Sequence, residues 1–257
     1  MRYERYWNDE ALERHKPYWV EDPADRRLLD YLQTGTNLLR SFEAGLAYAD
    51  EHFAAVRGAV LDLGAGVCWT SAVVSRWPRV QKVHALDYSE HRLLKIAPLV
   101  FEQLGAATEK IERHRRPMSP LSYSDESTDL AIFCQALYMN RDPEKILQEV
   151  HRVLRPGGVA MITCESIVPS RSSAGRWVHQ ALRLWRYPVG TWREVLADRA
   201  PDASGRYQYV DRDYAAFITN AGLRLVRQHL DWPVFKHSPV GAVNYFGVKD
   251  RGRRGSG

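Results

Sequence analysis

The feature that most constrains the fold is a short apolar run that ends in a glycine-rich loop. The run GAVLDLG occupies residues 58–64 and continues directly into GAGVCWT at residues 64–70. Gly64 and Gly66 allow the backbone to turn sharply and to approach a ligand closely, because no Cβ stands in the way. A helix that begins after such a loop presents free N–H groups to whatever lies above it. The pattern therefore predicts a strand, a ligand-binding loop and a helix.

Similar apolar runs recur along the chain and alternate with helical periodicity. The further runs are KVHALD, LAIFCQAL, GVAMITCES, LRLVRQHL and AVNYFGVK. Helical spacing lies between them, for example at Ile146, Val150 and Leu154. Nearly continuous apolar runs are typical of parallel strands, because helices cover both faces of a parallel sheet. The predicted fold class is α/β, with a doubly wound, mostly parallel sheet.

We expect one domain over residues 1–257, because no linker separates two independent units. The expected segments are a helical N-terminal cap (1–55), a core that carries the glycine loop (56–165), a helical lid insertion (166–210), the C-terminal part of the sheet (211–249) and a disordered tail (250–257). An apolar helical face in the insertion runs through Trp177, Val178, Ala181, Leu182 and Trp185. This face fits a lid over a pocket, ordinary packing on the domain or, least of all, a membrane surface.

Composition narrows the class of protein further. No apolar stretch approaches the roughly 18 residues that cross a bilayer, and the first ten residues, MRYERYWNDE, lack the layout of a signal peptide. We therefore expect a cytoplasmic protein with no membrane partner. The three cysteines form no CxxC pair, and the nine histidines form no HxH or HxxxH pair. Neither a disulfide framework nor a metal site is predicted.

Basic residues raise the question of nucleic acid. The net charge is +5, and Arg113, His114, Arg115 and Arg116 form a dense cluster. Such a cluster can contact phosphates, but it is more often a solvated surface. We expect no nucleic-acid partner.

An acidic residue follows the glycine loop at an informative distance. Asp87 closes the next apolar run, 21 residues after Gly66, where it can accept both hydroxyls of an adenosine ribose. A dinucleotide-binding loop would have a third glycine where this chain has Trp69, and Asp62 would place a negative charge near a pyrophosphate. S-adenosylmethionine (SAM) carries an ammonium group and no phosphate. The charge pattern therefore favours SAM over NAD.

Three motifs together resemble those of class I SAM-dependent methyltransferases, in particular the type 11-like branch that acts on small molecules. They are VLDLGAG at 60–66, HALDYS at 84–89 and RVLRPGG at 152–158. The resemblance covers residues 55–165 and, more loosely, residues 210–249. It implies a seven-stranded Rossmann-like methyltransferase fold with SAM as its cofactor.

The resemblance also implies roles for particular residues. The methionine part of SAM would be held by Asp62, Gly64, Ala65 and Gly66, with Gln135 nearby. Asp87 would bind the ribose, Tyr88 would pack against the adenine, and Met118 would lie beside the adenine edge. Relatives often carry a histidine in the stretch that here is ALYMNRDP. Tyr138 is the candidate catalytic residue in its place; its hydroxyl would orient or deprotonate the acceptor, or the side chain is only packed.

The expected function is methyl transfer from SAM to a small-molecule acceptor, without a metal. Oxygen is slightly favoured as the acceptor atom, and secondary metabolism is the expected setting. One alternative is a nucleic-acid (RNA) methyltransferase, although the stretch QALYMN lacks the NPPY or DPPY tetrapeptide of base-methylating relatives. The other alternative is a nucleotide-binding oxidoreductase on the same sheet. The oligomeric state is left open.

Overall fold

The computed structural model describes residues 10–165, 207, 209–236 and 241–251. Nearly all of the predicted lid insertion and most of the predicted tail lie outside these residues. The first nine residues of the predicted N-terminal cap also lie outside them. No helix in the described part of the chain is both long and apolar enough to span a membrane.

Seven strands form one sheet in the described residues. Their bounds are β1 Gly58–Leu63, β2 Val80–Asp87, β3 Ile111–Arg115, β4 Thr128–Cys134, β5 Leu154–Thr163, β6 Arg224–His229 and β7 Val243–Val248. The order across the sheet is β3-β2-β1-β4-β5-β7-β6. Strands β1 to β5 pair in parallel, and β7 is antiparallel to both β5 and β6. The predicted mostly parallel, seven-stranded sheet is confirmed.

Helices cover both faces of this sheet. The α-helices of the described residues are α1 Glu10–Glu13, α2 Arg27–Asp30, α3 Leu38–Phe53, α4 Trp69–Ser75, α5 Ala97–Leu104, α6 Pro143–Val153 and α7 Asp211–Asn220. Single π turns at Tyr31–Gly35 and Arg92–Ile96 continue α2 and precede α5, and short 3₁₀ turns lie at Thr108–Lys110 and Leu137–Met139. Helices α3, α4 and α5 lie on one face, and α6 and α7 lie on the other.

The hydrophobic core consists of two layers, one on each face of the sheet. Successive strand residues point to opposite faces, so Val60 of β1 packs with Phe42 of α3, whereas Leu61 packs with Leu147 of α6. All four side chains are fully buried. Each contributes about 1.5–3 kcal/mol of burial free energy. The central strands are therefore rigid supports for the loops at their ends.

The edge strand β3 is an element that sequence patterning did not predict. Arg113 and Arg115 belong to this strand and are not a free surface cluster. The Arg113 guanidinium donates to the Leu93 carbonyl at 2.6 Å, and Arg115 pairs with Glu90 at 2.7 Å. Both arginines therefore hold β3 against the segment that follows β2.

Candidate active site

The parallel strands bring the residues predicted to bind the cofactor to one edge of the sheet. The glycine loop follows β1, Asp87 ends β2, Met118 follows β3 and Gln135 follows β4. Because β1 to β4 run parallel, their carboxyl ends lie side by side. Ligands of open α/β sheets bind above these ends.

Two features of the structure require glycine at the first position of the loop: a positive φ and close packing by neighbouring side chains. Gly64 has a φ of +75°. A Cβ there would lie 2.7 Å from the Cβ of Ala136 and 3.1 Å from the Cε of Met118. The N–H groups of Gly64 and Ala65 both donate to the Leu86 carbonyl at 2.9 Å. The loop is thus fixed to the end of β2, and Ala136 and Met118 lie too close to Gly64 for a side chain to fit there.

Asp87 joins the glycine loop to the turn after β2. Its Oδ2 accepts the N–H of Gly66 at 2.9 Å, and its Oδ1 accepts the N–H of Ser89 at 2.8 Å. A carboxylate offers about four lone-pair sites, so these two bonds leave acceptor capacity on both oxygens. Two adjacent ribose hydroxyls match that capacity. The next side chain, Tyr88, is 40% exposed.

Asp62 lies beneath the loop, in the interior. Its Oδ2 accepts the hydroxyls of Thr70 at 2.6 Å and Ser71 at 2.5 Å. These bonds tie β1 to the first turn of α4. Burial, only partly offset by the two hydroxyls, raises the pKa of Asp62 to about 6. A nearby ammonium group would favour the charged form of this carboxyl.

Met118 and Gln135 flank the loop from the other strands. Met118 is half-buried, and its sulfur is 3.9 Å from the Nδ2 of Asn140. Gln135 has a φ of +55°, and its N–H donates to the Thr163 carbonyl at 3.2 Å. A positive φ in a non-glycine residue is uncommon and clusters at ligand sites. The strand end is therefore held in a specific bend next to the glycine loop.

The backbone and the side chain of Tyr138 have different surroundings. The N–H of Tyr138 donates to Glu165 at 2.9 Å, and its carbonyl accepts the N–H of Tyr207 at 2.8 Å. The side chain is 5% exposed and belongs to the core layer under α6 and α7. This position favours packing over direct action on an acceptor.

Glu165 is a site residue that sequence reasoning missed. It lies just after β5, and its Oε1 accepts the N–H groups of Ala136 and Leu137, each at 2.9 Å. Its Oε2 accepts the N–H of Tyr138 at 2.9 Å and the hydroxyl of Tyr214 at 3.1 Å. Burial raises the pKa of Glu165 to about 7, against the opposing effect of these bonds. Glu165 therefore fixes the turn after β4. The available signal was an acidic residue directly after an apolar run, the same signal that identified Asp87.

The N-terminal segment reaches the glycine loop through a buried ionic network. The carboxylate of Glu13 lies 2.7 Å from His91 Nε2 and accepts from Arg92 Nε at 2.8 Å and from the Tyr18 hydroxyl at 3.0 Å. Burial is the largest single influence on the pKa of Glu13 and opposes its ionisation. The charge and hydrogen bonds of Arg92, together with the bonds from His91 and Tyr18, outweigh burial and lower the pKa. Arg92 Nη1 is 3.8 Å from the point where a Cβ of Gly66 would stand. The predicted N-terminal cap thus adjoins the loop in its described part.

The sheet order, with its antiparallel seventh strand and the glycine loop after β1, defines the fold of class I SAM-dependent methyltransferases. The chain matches the family described as a methyltransferase domain over residues 61–162. The structure of geranyl diphosphate methyltransferase in complex with SAM superposes with a TM-score of 0.59 at 14% identity, covering 89% of this chain and 92% of that one.

The curated proteins that are similar in sequence include two methyltransferases of different acceptors. The chain is 32% identical over 111 residues to a dimethylglycine N-methyltransferase of Parasynechococcus marenigrum (strain WH8102), covering 41% of this chain. It is 30% identical over 153 residues to thiol S-methyltransferase TMT1B of Homo sapiens, covering 53% of this chain. The aligned residues span 37% and 57% of those two proteins. These matches show a methyltransferase domain over residues 61–162 in the class I SAM-dependent methyltransferase fold, as predicted, and one neighbour of that fold is a complex with SAM, the predicted cofactor.

Proposed function

We propose that the protein transfers the methyl group of SAM to a small-molecule acceptor, with an oxygen atom favoured and secondary metabolism as the setting. The observation that carries the proposal is the Asp87 carboxylate, which holds the N–H groups of Gly66 and Ser89 and keeps acceptor capacity for a ribose. Gly64 packs closely against Ala136 and Met118, so the loop also contacts the segments that follow β4 and β3.

Different residues at the strand ends bind different parts of SAM. The loop at Gly64, Ala65 and Gly66 holds the methionine part of SAM, with Asp62 as the nearest buried carboxyl group for its ammonium. Tyr88 and Met118 hold the adenine on two sides, and Gln135 lies towards the methionine. The bound cofactor supplies an electrophilic methyl group. The chain has to align the acceptor and exclude water.

The structure gives little support to the two alternative functions. Arg113 and Arg115, which suggested nucleic acid, bind the Leu93 carbonyl and Glu90 within the chain. Dinucleotide-binding sheets have the order 3-2-1-4-5-6. In this sheet an antiparallel β7 lies between β5 and β6. The similar proteins are named for nitrogen and sulfur acceptors, so the preference for oxygen rests on the resemblance alone.

Isotope transfer tests the proposal. SAM with a labelled methyl group is incubated with the protein and with separate pools of phenols and carboxylic acids, amines, thiols, and RNA. Mass spectrometry then locates the label. We expect labelled small molecules in the oxygen pool and none in RNA, with Asp50→Ala as an active control because Asp50 pairs with Arg79 away from the loop. Label only in amines or thiols would refute the acceptor atom, and label only in RNA would refute the small-molecule proposal.

A further inference from the structure

Three side chains with metal-binding atoms converge at the edge of the sheet, away from the glycine loop. His84 of β2 lies opposite Glu112 of β3 in the strand register, and His114 follows two residues later on the same face of β3. His84 Nδ1 is 3.2 Å from His114 Nε2 and 3.2 Å from Glu112 Oε2. The third side of the triangle, from His114 Nε2 to Glu112 Oε2, measures 3.7 Å.

This triangle has the dimensions of one face of a zinc coordination tetrahedron. Nitrogen and oxygen ligands lie at about 2.0–2.2 Å from zinc, so neighbouring ligand atoms of a tetrahedral site are about 3.3–3.5 Å apart. All three observed separations lie close to this range. An ion placed at bonding distance from all three atoms would keep its fourth position open for water.

The surroundings hold the three ligands in place and leave the site accessible. Lys82 donates to Glu112 Oε1 at 2.7 Å, which leaves Oε2 directed at the two imidazoles. The ring of Tyr123 lies against His84, with centroids 5.1 Å apart. The side chains of His84, His114 and Glu112 are 19%, 28% and 46% exposed, so an ion can enter from solvent.

We propose that His84, Glu112 and His114 bind a zinc ion, with water as the fourth ligand. Two imidazoles and one carboxylate suit zinc and its neighbours in the first transition row, whereas magnesium and calcium prefer oxygen ligands alone. The ion would link the edge strand β3 to β2. His84 precedes Asp87 by three residues, roughly 10 Å along the strand, so the role of the ion is to stabilise this edge and not to act on the acceptor.

The pattern was not visible in the sequence, because the ligands come from two strands. Histidine pairs are found in a sequence when they share one helix or one strand, as in HxxxH or HxH. Here one histidine and the Glu-x-His pair are 28 or more residues apart and meet only through the register of β2 and β3. The sequence prediction of no metal site is therefore replaced by this proposal.

The test is a zinc titration by calorimetry into tag-free protein that has been treated with a chelator and dialysed. We expect one zinc ion per chain and a loss of affinity of at least about tenfold in His114→Ala. Glu112→Gln keeps the shape of the side chain and removes its charge, so it should weaken binding as well. The matched control is His229→Ala, an exposed histidine on β6 at the far edge of the sheet, which should bind zinc like the wild type.

The visible spectrum of bound cobalt is a second measurement, and it reports directly on the coordination of the ion. Co²⁺ in a four-coordinate site should show intense visible absorption that zinc displaces and that His114→Ala lacks. The proposal is overturned if the wild type binds no zinc at micromolar concentrations. It is also overturned if His114→Ala and Glu112→Gln bind zinc like the wild type, or if bound cobalt has the weak spectrum of a six-coordinate ion.

Discussion

At the residue scale, the glycine loop depends on what surrounds each glycine. Gly64 and Gly105 both have a positive φ, +75° and +60°. A Cβ at Gly64 would meet Ala136 at 2.7 Å, whereas a Cβ at Gly105 would meet nothing within 4 Å. The two positions therefore separate the cost of backbone strain from the cost of a steric clash.

We expect Gly105→Ala to lower the free energy of unfolding by about 1–2 kcal/mol, the cost of a left-handed backbone for an L-residue. SAM affinity should not change in this variant. Gly64→Ala should lose more stability, because the clash adds to the strain, and SAM affinity should fall at least about tenfold, or about 1.4 kcal/mol. Urea unfolding and calorimetry measure both quantities. If the two variants had the same stability and the same SAM affinity, contact of Gly64 with Ala136 and Met118 would not be what requires glycine there.

A second prediction concerns the charge of Glu165. Its pKa rises on folding from 4.5 to about 7 because of burial. A carboxyl group with a raised folded pKa stabilises the protein fully only below its unfolded pKa, and this contribution is lost as the pH rises through about 7. The two values correspond to about 3 kcal/mol.

We therefore expect the free energy of unfolding of Glu165→Gln, relative to the wild type, to increase by up to about 3 kcal/mol from pH 4.5 to pH 8. The difference between the two proteins cancels the contributions of all other titratable groups. Urea unfolding at a series of pH values measures this difference. Glu102→Gln, which replaces an exposed carboxylate on α5, is the control and should run parallel to the wild type. If the free energies of unfolding of Glu165→Gln and the wild type changed with pH in the same way, the raised pKa of Glu165 would be contradicted.

At the scale of elements, sequence patterning predicted six of the seven strands in the described part of the chain and missed β3, which has the fewest apolar residues. Strands β1, β4 and β5 are buried on both faces, and their apolar runs show it. Strand β3 lies at the edge and has the sequence IERHR, with a single apolar residue. Its pairing with β2 comes from the tertiary fold, so local patterning could not find it.

For the candidate site, the sequence likewise predicted the residues that have a local signal and missed the contacts that depend on the tertiary fold. Residues at the carboxyl ends of the predicted strands, such as Gly64 and Asp87, were identified because their position and spacing carry the signal. The Glu13 contact with Arg92 spans 79 residues and has no local signature. The packed position of the Tyr138 side chain could not be derived either, because it depends on the helices α6 and α7.

Helix α1 offers a test of how the N-terminal segment is held. It makes two ionic contacts with the π turn Arg92–Ile96: Glu13 with Arg92, which is buried, and Glu10 with Lys95, which is exposed. We expect Glu13→Ala to lower the free energy of unfolding by about 3 kcal/mol, because it leaves a buried guanidinium without its carboxylate. Glu10→Ala should have little effect, because exposed pairs contribute little.

Urea unfolding measures both variants, and hydrogen exchange shows whether residues 10–20 open. Increased exchange in Glu13→Ala, with none in Glu10→Ala, is the expected result. If the two variants were equally stable, the buried network would not anchor the segment. Deletion of residues 1–20 is a less specific test, because it also removes the buried side chains of Trp19 and Val20.

At the scale of the whole molecule, the net charge of +5 predicts weak and nonspecific contact with nucleic acid. We expect binding to DNA or RNA to disappear between roughly 50 and 200 mM salt. Fluorescence anisotropy over a salt series measures it. Tight binding at physiological salt that is lost in an Arg113, Arg115 and Arg116 triple alanine variant would contradict the prediction.

The central claim is that the chain binds SAM with Asp87 on the ribose. Calorimetry tests it with the wild type, Asp87→Ala and the control Asp50→Ala, using S-adenosylhomocysteine with and without its ribose hydroxyls to separate direct contact from loosening of the loop. We predict that Asp87→Ala weakens SAM binding by about 1.5–3 kcal/mol. Asp87→Ala should also weaken binding of S-adenosylhomocysteine, but it should have little effect on the form that lacks the ribose hydroxyls. Asp50→Ala should bind all three ligands like the wild type. Unchanged SAM affinity in a folded Asp87→Ala variant, or no SAM binding by the wild type, would contradict the account.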